Sequence, residues 1–210
     1  MLTKNQLTII LFVAALIWGA LLILAGVSVD PSLFKPFSRV VGILVLLLAA
    51  YDLWLWKIPL FARWLAKRPV IQGTWRGVIN SRWKDPATGS TPGPIEAYMV
   101  IHQTFSSLSM RLHTTESSSE LLGAEISYAQ DGTCELSGVY RNEPKAAVLH
   151  RSPIHHGGIL LRVIGRPVSS LKGKYWTDRN SAGDMELVER RGSLAEDFES
   201  ARALFADAQH

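Results

Sequence analysis

The hydrophobic pattern divides the chain in two. Residues 7–29 carry no charged side chain, and residues 40–56 form a second apolar stretch whose one acid is Asp52. The first is long enough for a helix to cross a hydrocarbon core about 30 Å thick, and the second approaches the ~20 residues that such a helix needs. The short turn Asp30-Pro31-Ser32 lies between them, so the pattern predicts a membrane-spanning α-helical hairpin. The first stretch is longer than a signal-peptide core. Val27 also stands where a lipoprotein site begun by Leu24-Ala25-Gly26 would need cysteine.

From residue 71 onward the apolar period changes from helical to alternating. Ile71, Gly73, Trp75, Gly77, Ile79, Ser81 and Trp83 share one face of a strand, with Arg76 and Arg82 on the other. A turn-rich loop over 85–94 follows, then strand patterns over 96–104, 108–114, 120–128, 133–141, 158–164, 171–177 and 185–190. Asp131-Gly132 and residues 180–183 are hairpin turn signals. Short connections between about eight strands predict an up-and-down antiparallel β-barrel, with a two-sheet sandwich as the competing architecture. The tail, 193–208, predicts a short amphipathic C-terminal helix. Ser193 and Glu196 form a capping box, and Leu194, Phe198, Ala201 and Phe205 form the apolar stripe. The expected organisation is a two-helix transmembrane hairpin over 1–57 and a basic juxtamembrane linker over 58–70. A β-barrel sensor domain over 71–191 and a C-terminal amphipathic helix over 192–210 complete it.

Charge changes the picture in one respect. The sequence pI near 9.3 suggests nucleic acid, but Lys57, Arg63, Lys67 and Arg68 crowd the linker, whereas residues 71–191 hold 14 basic against 12 acidic side chains. A near-neutral barrel argues against DNA or RNA as a partner. The basic residues after the second apolar stretch outweigh Lys35 and Arg39 between the two, which predicts both termini in the cytoplasm. The single cysteine, Cys134, allows no intrachain disulfide.

The sequence carries no nucleophile elbow, P-loop, zinc-protease motif or metal-ligand spacing, so neither catalysis nor a metal is expected. His155 and His156 are adjacent and would point to opposite faces of a strand. Polar residues do occur in the interior phase at strand ends. Gln103 follows Met99 and Ile101, and Thr114 follows Met110 and Leu112. Tyr140 shares a face with Asn142, and Tyr175 with Thr177 and Arg179. With His156 these eight residues are the candidate ligand-binding set. Tyrosine rings can stack on bases and Arg179 can pair with a phosphate, so the set suits a compact anionic ligand. The alternative at each position is a residue that caps the barrel or satisfies a turn.

Several segments resemble a known family: IQGTWRGVINSRW (71–83), MVIHQTF (99–105), LHTTESSS (112–119), GVYRNEP (138–144), HHGG (155–158) and LKGKYWTDRNSAG (171–183). Their order behind two apolar helices is similar to the CD-NTase-associated protein 15 family, effectors of bacterial CBASS antiphage systems. The resemblance implies a barrel that binds a cyclic dinucleotide made by a partner CD-NTase cyclase. It further implies a homo-oligomer on activation, disruption of the inner membrane by the helices, and no cofactor beyond the activating ligand. The expected location is the bacterial inner membrane, with two spans and the barrel in the cytoplasm. Two other functions compete. One is a tethered lipocalin-like carrier of an apolar molecule, which the Gly-x-Trp opening resembles. The other is a filled barrel that binds only protein.

Overall fold

The computed structural model describes residues 4–24, 26, 34–58, 68–84 and 89–206. The chain forms two compact units, Met1–Phe61 and Ala62–His210.

In the first unit, α1 spans Lys4–Leu24 and α2 spans Phe34–Leu53, followed by a single 3-10 turn over Leu55–Lys57. The membrane hairpin is not what these helices form: among the described residues no helix is long and apolar enough to cross a membrane. The apolar stretch over 7–29 is not helical throughout. Helix α1 stops at Leu24, and Gly26 turns the chain with φ +72°, its N–H donating to Ile23 O at 3.0 Å. The uncharged part of α1, 7–24, spans only about 27 Å at 1.5 Å per residue, short of the ~30 Å core. In α2, Lys35, Arg39 and Asp52 confine the uncharged part to 40–51, about 18 Å. Both helices expose large apolar side chains, among them Leu16, Ile17, Leu21, Ile43 and Leu46.

In the second unit eight strands close into an antiparallel barrel in which each pairs with the next and β1 with β8. They are β1 (Gly73–Ser81), β2 (Ile95–Gln103), β3 (Leu108–His113), β4 (Ser117–Tyr128), β5 (Cys134–Pro144), β6 (His155–Ile164), β7 (Ser170–Thr177) and β8 (Ala182–Arg191). Irregular register at Arg76/Gly77 and at Leu121/Gly123 bends the wall, as bulges do. Alternation sends Trp75, Met99, Ile101, Met110, Leu136, Leu161, Leu171 and Leu187 inward, all buried. The Trp75 indole N–H donates to Ile71 O at 2.8 Å, which fixes the large ring across one end of the interior.

The tail covers part of the outside. Helix α3 (Phe198–Ala206) lies on the outer face of β2, where Phe198 meets the Tyr98 ring edge-on at 5.3 Å and Phe205 meets it at 5.7 Å. This contact buries Tyr98 and Val100 on the face that alternation turns outward. Each such burial contributes on the order of 2 kcal/mol. The helix starts later than the sequence pattern predicts. Thr74 Oγ1 donates to Ser193 O and accepts from Ala195 N–H, so residues 193–195 are tied to β1. Asp197 Oδ1, which accepts the Ser200 N–H at 2.8 Å, takes the place expected for Ser193.

Candidate functional site

The barrel is filled at one end and hollow at the other. The filled end holds the start of β1, the β2–β3 turn and the end of β8. Above it opens a cavity of about 600 Å³. Its lower wall is apolar: Ile79, Met99, Leu121, Ile159 and Met185. Its mouth lies among the β1–β2, β3–β4, β5–β6 and β7–β8 connections, which all fall at the same end.

Tyr140 and Tyr175 project into the cavity from β5 and β7, and each is seated on a glycine of the paired strand. Tyr140 faces Gly157 and Tyr175 faces Gly183 in the ladder. A Cβ added at Gly157 would stand 2.5 Å from the Tyr140 phenol, and one at Gly183 would stand 2.6 Å from the Tyr175 ring. Burial raises both phenol pKa values. For Tyr140, the neighbouring Tyr175 and Asp178 add to the rise, whereas a hydrogen bond with Ser81 offsets part of it for Tyr175. Both therefore stay protonated at neutral pH and can donate. The Tyr140 hydroxyl reaches Trp176 O at 3.5 Å.

Beside the tyrosines, Ser119 Oγ donates to Asn142 Oδ1 at 2.8 Å, and both side chains are buried. At the rim, Arg179 donates from Nη1 to Ser152 Oγ and from Nη2 to Arg151 O, each at 3.2 Å. The Arg151 guanidinium pairs with Glu116. These contacts hold the β5–β6 connection, residues 145–154, between the two neighbouring turns, and they put two guanidinium groups on the rim. Thr114 and Thr177 also line the mouth, with their hydroxyls engaged in their own turns. Thr114 Oγ1 lies 3.1 Å from Ser117 Oγ, and Thr177 Oγ1 lies 2.7 Å from Ser181 Oγ.

Six of the eight residues singled out from the sequence line this cavity: Thr114, Tyr140, Asn142, Tyr175, Thr177 and Arg179. The other two do not. Gln103 is buried at the filled end, where its Oε1 accepts the Ile71 N–H at 2.8 Å and its Nε2 donates to Pro69 O at 2.9 Å. It closes the barrel there, away from the cavity. His156 points out of the barrel, where its backbone N–H donates to Asp178 Oδ2 at 3.0 Å. The inward position belongs to His155, which lines the mouth. Sequence reasoning missed Ser119, Arg151 and His155. The candidate set took His156 rather than His155 from the adjacent pair, and nothing local marks Ser119 or Arg151. Among the described residues, no group of three or more His, Cys, Asp or Glu side chains is placed to hold a metal ion.

The family model described as Cap15, cyclic dinucleotide receptor domain, matches residues 66–189, more than half of the chain and all but the last two residues of the barrel. The chain belongs to the Cap15 family. Among curated relatives, CD-NTase-associated protein 15 of Staphylococcus schleiferi is 29% identical over 150 residues, covering 71% of this chain and 76% of its own. The protein of the same name from Escherichia albertii is 26% identical over 161 residues, covering 73% and 79%. The Cap15 match thus falls on the barrel and includes every residue that lines its mouth.

Proposed function

We propose that the barrel is the receptor of a CBASS antiviral effector and that its mouth binds a cyclic dinucleotide supplied by a partner CD-NTase cyclase. The observation that carries this reading is the pairing of a rim bearing Arg151 and Arg179 with a hollow that offers two tyrosine rings and a buried Asn142. Guanidinium groups suit phosphodiesters, and the rings and amide suit a nucleobase. The protein acts by binding, without chemistry of its own and without a cofactor.

Ligand occupancy favours an assembled state of several chains over a dispersed one, which requires only that the ligand bind the assembled state more tightly. The output is disruption of the bacterial inner membrane by the N-terminal unit. The exposed apolar side chains of α1 and α2 support this, since apolar surface of that extent marks a membrane or protein contact. A carrier of apolar molecules would use the lower wall of the cavity but would have no use for two arginines at its mouth. Titration of the purified chain with cyclic dinucleotides tests the receptor reading, and an absence of binding across the panel defeats it.

A further inference from the structure

The cavity is asymmetric from rim to floor, whereas a cyclic dinucleotide presents a base at each of its two ends. Such a ligand carries two bases on opposite sides of a macrocycle that holds both phosphodiesters. The two guanidinium groups that line the cavity, Arg151 and Arg179, lie at the rim. Below the tyrosines the wall is apolar, and burying a phosphate there without a cation would cost several kcal/mol. The floor is shut by Trp75, whose side chain is fully buried. On β2 the lining runs from Ile95 to Met99, which pairs with Trp75 at the floor, and strand tilt with a rise of ~3.3 Å per residue gives this stretch a depth of roughly 10 Å. That depth takes one base and stops the macrocycle at the arginines.

We infer that the ligand enters end-on, with one nucleobase enclosed beside Tyr140, Tyr175 and Asn142 and the second base left outside the rim. The inference rests on the receptor reading. The two halves of the ligand are then read differently. The inner base is selected by the cavity, while the outer base is tolerated by this chain and remains exposed to whatever meets the mouth.

The test uses the full chain and a panel of symmetric and mixed cyclic dinucleotides of adenine, guanine, uracil and cytosine. The tightest binder is prepared with a bulky fluorescein group on one base, on the other, or on both. End-on entry predicts that at least one singly tagged form binds within about threefold of the untagged ligand. The doubly tagged form, which has no base small enough to enter, loses at least ~100-fold. Equal loss by both singly tagged forms overturns the inference, because both bases are then enclosed. Full binding by the doubly tagged form overturns it too, because no base is enclosed. If no untagged member binds, the receptor reading itself fails.

Discussion

The Ser119 hydroxyl donates to Asn142 Oδ1 across 2.8 Å, from β4 to β5, inside the barrel wall. Both side chains are buried, and both line the mouth of the cavity. The bond takes one of the two acceptor sites of the Asn142 carbonyl, and the amide N–H donors are the further groups this residue can offer a ligand. Asn142→Ala leaves the Ser119 hydroxyl without its acceptor. The expected cost is about 1–3 kcal/mol of stability, read by urea unfolding, together with weaker ligand binding. Ser119→Ala removes only the donor and is expected to cost less in binding. Equal affinity for Asn142→Ala and the wild type would remove this amide from the site.

Arg179 has two roles at the rim, as a cation and as a tie to residues 151 and 152. Arg179→Ala is expected to weaken cyclic dinucleotide binding by roughly 10- to 100-fold, the range for a hydrogen bond to a charged group. The loss should shrink as salt is raised, because an exposed ion pair is screened. Calorimetric titration at two salt concentrations reads both effects.

Gly157 makes room for Tyr140. A methyl group there would stand 2.3 Å from Trp176 O and 2.5 Å from the phenol. Gly157→Ala is therefore expected to push the ring from its seat, at about 1–3 kcal/mol of stability, and to lower affinity with it. Thermal unfolding and titration of the same variant read the two effects.

The two sequence candidates that lie outside the cavity give a contrast. Gln103→Ala strips partners from the Ile71 N–H and the Pro69 carbonyl, and is expected to cost about 1–3 kcal/mol of stability. The affinity of the folded protein should not change. His156→Ala, on the outer face, should change neither quantity. A loss of affinity in either variant would move the site away from the mouth described above.

His113, on the outer face of β3, gives a pH dependence. It is buried, its Nδ1 lies 3.3 Å from Ser118 Oγ, and its Nε2 has no hydrogen-bond partner among the described residues. Burial first, and then the nearby Arg111 charge, lower its pKa, against an opposing pull from Asp197. The folded state thus binds this proton more weakly than the unfolded state, whose histidine titrates near pH 6.5. The stabilisation is present above that pH and is lost as pH falls below it toward the lowered folded value. The unfolding midpoint should drop across that window, and His113→Gln should flatten the drop.

Period-two alternation made the strands legible, because a closed barrel with one solvated face writes its two faces separately into the sequence. The polar ends of the interior phase pointed to Tyr140, Asn142, Tyr175 and Arg179. The same signal misplaced Gln103, since a barrel has two ends and the pattern does not say which is hollow. That is decided by how Trp75, Met110, Leu161 and their neighbours fill the interior. His155 and His156 were separable only once β6 was seen to begin at His155, three residues before the expected start at 158. Arg151 and Glu116 meet across 35 residues of chain, and no local pattern records that. The hairpin expectation failed for a similar reason. Hydropathy counts apolar residues, but Gly26 and the charges inside α2 decide how much uncharged helix there is.

The most direct test of the receptor reading is a calorimetric titration of the full, folded chain with the cyclic dinucleotide panel. The prediction is saturable binding of at least one member, weakened by Arg179→Ala and untouched by His156→Ala. Absence of binding to every member by a chain that still unfolds cooperatively would contradict it.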